Sequence, residues 1–176
     1  MNIFDTDIPA VKILVPEKFG DERGFFLESF RASWLPEHIF VQDNHSKSTK
    51  GILRGLHYQL TKPQGKLVRV LSGKVLDVAV DLRKSSATFG HHVALELDDQ
   101  SHRMLWVPPG FAHGFVVLSD EAEFFYKCTD YYAPEDERSI SWNDSDLGID
   151  WQIDEPPILS QKDSAATSFK DAEVFN

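Results

Sequence analysis

The sequence predicts an all-β fold, a sandwich or a barrel. Apolar and polar residues alternate over several short runs. The runs recur roughly every ten residues, as short strands of such folds do. Gly, Pro, Asp and Ser fall between them, where turns are needed. In chain order, residues 11–15 form a short strand closed by Pro16, and residues 25–30 are rich in aromatics. Residues 66–72 alternate, Ser72-Gly73 supplies a tight turn, and residues 74–82 alternate again with apolar side chains at 76, 78, 80 and 82. Residues 92–97, 103–107, 111–118 and 122–129 complete the series. Only residues 32–38 and the stretch after Ser164 have local helical character, which predicts short peripheral helices.

The chain has 176 residues, which fits one domain spanning 1–176. A chain of this size buries about 70% of its unfolded surface, so its core does not depend on disulfides or structural metal. The formal net charge is −10, the wrong sign for a duplex-binding protein, so no nucleic-acid polymer is expected as a partner. The single cysteine, Cys128, cannot form an internal disulfide. The N-terminus lacks a basic and then apolar leader, and no apolar run approaches the roughly 20 residues of a membrane helix. A cytoplasmic protein without membrane contact is expected. Charge is uneven, however. From Asn44 to Leu76 there is no acid, and there are seven bases: Lys47, Lys50, Arg54, Lys62, Lys66, Arg69 and Lys74. Such a stretch is either a solvated face or the surround of a small anionic ligand.

Seven histidines invite a test for metal. Pro108-Pro-Gly-Phe-Ala-His113 resembles the second motif of cupin metalloenzymes. Their first motif needs ligands at i and i+2 of one strand, which share a face. Here Tyr58 and Gln59 follow His57, and His91-His92 are adjacent, so the first motif is missing and no metal is expected. Without metal, His57 in Arg54-Gly-Leu-His57 can be a general base, because imidazole titrates near neutrality. Such a base needs an orienting carboxylate, which the spacing does not select. Tyr126 can be a core side chain or an acid facing a cavity. Lys66 can reach solvent or stabilise an oxyanion. Arg23, in the turn Asp21-Glu-Arg-Gly24, can clamp a phosphate or make a surface ion pair. Neither Gly-x-Gly-x-x-Gly nor a P-loop occurs, which disfavours dinucleotide and NTPase folds.

Seven segments together narrow the choice. They are Phe19-Gly-Asp-Glu-Arg-Gly-Phe-Phe26, Phe40-Val-Gln-Asp-Asn-His-Ser46, Leu53-Arg-Gly-Leu-His-Tyr-Gln59, Gln64-Gly-Lys-Leu-Val-Arg69, Asp77-Val-Ala-Val-Asp-Leu-Arg83, Val107-Pro-Pro-Gly-Phe-Ala-His-Gly-Phe115 and Leu159-Ser-Gln-Lys-Asp163. In this order they resemble the dTDP-4-dehydrorhamnose 3,5-epimerase family of deoxysugar enzymes. The resemblance runs from about Ile8 to Ala166.

It implies a cupin-like jelly-roll barrel without metal or other cofactor, in a homodimer to which N-terminal strands within about residues 1–45 contribute. It implies His57 as general base, Asp163 in the tail of about residues 160–176 as its orienting carboxylate, Tyr126 as acid and Lys66 beside the sugar carbonyl. Arg23 and Arg54 would meet the diphosphate, with Lys162 at a further binding position. Glu28, Gln42, Asn44, His113 and Glu137 would contact the nucleotide sugar, and Phe19 and Phe26 the thymine. The implied reaction is epimerisation at C3 and C5 of a dTDP-4-keto-6-deoxysugar. Alternatives are an enzyme inverting one carbon only, a metal-dependent cupin oxygenase, and a catalytically silent nucleotide-sugar-binding module.

Overall fold

A computed structural model describes residues 1–176. Thirteen strands follow one another: β1 (Asn2–Asp5), β2 (Lys12–Val15), β3 (Lys18–Asp21), β4 (Gly24–Leu27), β5 (Gln42–Thr49), β6 (Leu53–Gln59), β7 (Lys66–Ser72), β8 (Lys74–Asp81), β9 (His92–Asp98), β10 (Met104–Val107), β11 (Phe111–Val117), β12 (Glu121–Cys128) and β13 (Glu137–Ser139). One short helix, α1 (Gln161–Ser164), follows them. The strands form a six-stranded sheet in the order β1-β2-β10-β7-β12-β5, a five-stranded sheet in the order β13-β6-β11-β8-β9, and a separate β3-β4 hairpin. This is the cupin-like jelly roll that the family resemblance implies. No helix is long and apolar enough to cross a membrane.

Alternation explains the layers, because neighbouring residues of a strand point to opposite faces. Between the sheets, Val68, Val70 and Phe124 of one meet Val75, Leu97, Phe115 and Val117 of the other. The apolar residues at 76, 78, 80 and 82 lie on the outer face of the five-stranded sheet instead, in a second core closed by Ile140, Leu147, Trp151 and the tail residues Phe169, Val174 and Phe175. On the outer face of the other sheet, Leu14, Leu67, Met104 and Trp106 are covered by Leu35, Phe30, Trp34 and Phe40. Apolar groups thus pack on both faces of each sheet, while β1 and much of β5 stay exposed, and β8 is buried along nearly its whole length.

Three local expectations change. Residues 32–38 yield only a 3-10 turn at Ala32–Trp34. The stretch after Ser164 is not helical; α1 ends there and the tail continues as bridges and turns. Its backbone bonds go to other segments, Thr167 to Ser139 and Ser141, and Phe175 to Leu82 and Lys84, while its aromatics fill the outer core. Tertiary packing thus overrides a weak helical propensity. The strand in the 25–30 run is also shorter, ending at Leu27 with Phe25 and Phe26 exposed.

One backbone contact places the site. Gly55 has φ +125°, and a Cβ there would stand 2.5 Å from the Gly114 Cα. A Cβ on Gly114 would stand 2.7 Å from the Arg54 carbonyl oxygen. Only glycine at both positions allows this approach. The β6–β11 pairing shifts register there, between His113 and Phe115, and His113 pairs with His57.

Candidate active site

The space between the sheets is apolar at one end and polar at the other. On β12, Phe124 packs in the core, and the next residue on that face is Tyr126. On β7, Val70 and Val68 give way to Lys66. From the facing sheet come His57 on β6 and His113 on β11. A cavity of about 400 Å³ opens among them, lined also by Arg54, Ser160 and Asp163. An adjoining cavity of about 310 Å³ shares His57, Lys66 and Tyr126 and adds Gln42, Asn44, Tyr132 and Glu137.

His57 donates its Nε2 hydrogen to Asp163 Oδ1 at 2.5 Å. The carboxylate is buried, being 4% exposed. Burial alone would raise its pKa, but hydrogen bonds from His57, Ser160 and the Gly55 backbone outweigh that and hold it below the ordinary carboxylate value. An ionised carboxylate only accepts, so the imidazole hydrogen is placed on Nε2. That leaves the Nδ1 lone pair free. Glu137 Oε1 is 3.9 Å from Nδ1, too far for a hydrogen bond.

Tyr126 stands on the other sheet from His57. Burial, with smaller contributions from Cys128 and Glu137, pushes its phenol up to about 12, so it keeps its proton at neutral pH. Lys66 is 9% exposed and has no salt-bridge partner within 4.0 Å. Burial pulls its pKa down, while Cys128, Glu137 and Asp77 pull it back up.

Around this centre the remaining polar groups are fastened. His113 donates from Nε2 to both oxygens of Asp77, at 2.9 and 3.0 Å. Glu137 accepts from Tyr132 Oη at 2.6 Å and pairs with Lys162. Its pKa lies below the ordinary value because these bonds outweigh its burial. Gln42 donates to Asn44 at 3.0 Å, and Arg54 Nε donates to Ser48 at 3.0 Å.

The fold therefore gathers His57, Lys66, Tyr126, Asp163, Arg54, His113, Gln42, Asn44 and Glu137, with Lys162 tied to Glu137. It does not bring Arg23, Phe19, Phe26 or Glu28 to the same cavity within one chain. Arg23 is exposed and bonds to Asp21, and Glu28 pairs with Arg31. Phe19 and Phe26 are 55% and 65% exposed on the β3-β4 hairpin. The basic stretch also divides. Arg54 and Lys66 face the cavity, whereas Lys47 pairs with Glu121 and Lys74 with Glu96.

Asp77 and Ser160 are polar residues of the site that the sequence reading does not single out. Asp77 is, with Asp81, one of two fully buried acids on β8, an unusual placement for an ionisable side chain. Ser160-Gln-Lys-Asp163 has the spacing of a helix-capping box. No three His, Cys, Asp or Glu side chains gather as a metal-ligand set.

A cupin-like jelly roll with a histidine–carboxylate pair on one wall and a protonated tyrosine on the other has the architecture of the sugar-nucleotide epimerase class. Comparison with known proteins agrees. Residues 5–171 match the family described as dTDP-4-dehydrorhamnose 3,5-epimerase. The dTDP-4-dehydrorhamnose 3,5-epimerase of Shigella flexneri is 55% identical over 99% of each chain. That of Neisseria gonorrhoeae is 54% identical over 98% of this chain, which spans about half of that relative (54%). A crystal structure of dTDP-6-deoxy-D-glucose-3,5-epimerase from Legionella pneumophila in complex with dTDP-4-keto-L-rhamnose superposes with a TM-score of 0.95. It is 53% identical, over 98% of this chain and 94% of that one. The chain belongs to the dTDP-4-dehydrorhamnose 3,5-epimerase family.

Proposed function

We infer that the chain epimerises C3 and C5 of dTDP-4-dehydro-6-deoxy-D-glucose, giving dTDP-4-dehydro-L-rhamnose for rhamnose biosynthesis. Beside the family relationship, one observation supports this reading most directly: His57 and Tyr126 come from opposite sheets and line the same cavity. Inversion at carbon needs a base on one face of the ring and an acid on the other.

The 4-keto group acidifies the protons on both neighbouring carbons. His57 Nδ1 takes one, and Asp163 stabilises the resulting imidazolium through Nε2. The electron pair left on carbon moves into the enolate, whose charge rests on the keto oxygen. Lys66, a cation in a largely dehydrated site, stabilises that charge. Tyr126 then delivers its proton to the same carbon from the opposite face, and the keto group re-forms. His57 then gives its proton to solvent and Tyr126 regains one from it, and repetition at the second carbon completes the reaction. No hydride leaves, so the chemistry is an isomerisation, in place of the oxygenase and silent-module readings.

The diphosphate is assigned to Arg54 and Arg23, and the sugar and nucleotide to His113, Gln42, Asn44, Glu28, Glu137 and Lys162. The exposed hairpin bearing Arg23, Phe19 and Phe26 is assigned to the thymidine end of a site completed in a homodimer. This reading takes the enzyme to be a single domain working in the cytoplasm.

Turnover in deuterated water tests the reaction. Deuterium is expected at both C3 and C5 of the product. Label at one carbon only would reduce the enzyme to a mono-epimerase, and absence of label would reject proton abstraction.

A further inference from the structure

The turn that carries Asp163 holds a hydroxyl committed to that carboxylate. Ser160 Oγ donates to Asp163 Oδ2 at 2.8 Å and accepts from the Asp163 backbone N–H at 3.1 Å. Asp163 Oδ1 is the oxygen that receives the His57 hydrogen. Each carboxylate oxygen thus has a side-chain donor, one from the α1 cap and one from β6, beside the backbone bond from Gly55. A carboxylate held through one oxygen can turn about its terminal bond, since that torsion is broad and roughly two-fold. Held through both, it cannot.

This restriction matters because His57 has a second acid nearby. Glu137 Oε1 stands 3.9 Å from Nδ1. If Asp163 turned away, the imidazole could carry its hydrogen on Nδ1, towards Glu137. That would block the atom facing the substrate.

We propose that Ser160 is a positioning residue for the epimerisation: its hydroxyl fixes the rotation of the Asp163 carboxylate and thereby keeps the His57 hydrogen on Nε2. Ser160 lines the cavity, but its single proton is committed to Asp163 rather than to a ligand. The inference rests on the roles of His57 and Asp163 proposed above.

Steady-state kinetics and dTDP titration on Ser160→Ala, Ser160→Thr, Asp163→Ala and the Ser160→Ala/Asp163→Ala double variant test it. Ser160→Ala should lower kcat about 10- to 100-fold, as misplacement of a catalytic group does. KM and dTDP affinity should stay within about three-fold, because no substrate contact is lost. Ser160→Thr, which keeps the hydroxyl, should restore kcat. In the Asp163→Ala background, the Ser160→Ala change should add no further loss, since the two act through one carboxylate. Should Ser160→Ala fold poorly, Ser160→Gly serves instead, because glycine is well tolerated at a helix N-cap.

Wild-type kcat in Ser160→Ala would overturn the proposal, as would the same proportional loss with and without Asp163. A rise in KM at constant kcat would also overturn it, making Ser160 a substrate contact. If Asp163→Ala itself kept full kcat, the base assignment would fail first; an inactive Asp163→Ala beside a fully active Ser160→Ala would reject only the role of Ser160.

Discussion

Two histidine–aspartate pairs stand side by side in this molecule, and they differ in more than position. His57 and His113 face each other across β6 and β11, and each gives its Nε2 hydrogen to an aspartate. The His113–Asp77 pair is sealed, with side chains 8% and 0% exposed and both residues on strands of one sheet. The His57 side chain is 26% exposed, and its carboxylate arrives from the tail. A base must pass its proton to substrate or solvent and be restored, which an enclosed pair does poorly. A sealed pair instead presents a fixed ring to a ligand. Under the proposed mechanism, this difference in enclosure suits His57 to carry a proton and His113 to make a fixed contact.

The largest test of this division is removal of the carrier and its opposing acid. His57→Ala and Tyr126→Phe should each lower kcat about 10²- to 10⁴-fold, the usual worth of general acid–base groups. Calorimetric titration should show dTDP binding retained in both. Unchanged turnover in either variant would refute that residue's role.

Lys66 belongs to neither pair but lines the same cavity as His57, His113 and Tyr126. Lys66→Met should lower kcat about 10²-fold or more, as loss of an oxyanion-stabilising group does. It should also raise the urea midpoint, because burial disfavours the cation and lowers its pKa. A lower midpoint with intact turnover would contradict both expectations.

The sealed pair should show itself in stability. Asp77→Ala leaves a buried histidine N–H without its acceptor, at a cost of about 1–3 kcal/mol in urea unfolding. Asp163→Ala should cost less stability than Asp77→Ala and more activity. The reverse order would erase the distinction between the pairs.

The smallest effect is that of acid. Asp163 has its pKa held below the ordinary 3.8. Its ionised form therefore stabilises the fold above that value, and the contribution disappears as pH falls through the lower folded value. The stability gap between wild type and Asp163→Asn, measured by urea unfolding at several pH values, should narrow only below about pH 4. A gap independent of pH would exclude this linkage.

Strands with apolar alternation were legible in advance because one apolar face marks them. β5 was not. Its sequence, Gln-Asp-Asn-His-Ser-Lys-Ser-Thr, has no apolar side chain, and part of its surface serves the cavities through Gln42, Asn44 and Ser46. The polar character that makes it useful to the site hides it from any rule based on burial. Residues 74–82 read correctly as a strand, yet their apolar set belongs to the outer core, and the other face carries Asp77. Alternation identifies two faces without saying which one meets which layer.

By itself, the sequence determined the β architecture, the absence of a nucleic-acid partner's charge pattern, and the residue types a proton-transfer site needs. Its ordered motifs also carried the family resemblance that named His57, Tyr126, Lys66 and Asp163. The tertiary structure decided what those residues touch. It joined His57 to Asp163 across 106 positions of chain, set Tyr126 on the opposing sheet, and made one histidine pair sealed and the other open. It left Arg23, Phe19 and Phe26 outside the cavity of their own chain. The reason is the range of the forces involved. Periodicity and turn chemistry act over a few residues, whereas the partner of a side chain is chosen by packing two covered sheets and the tail that closes over them.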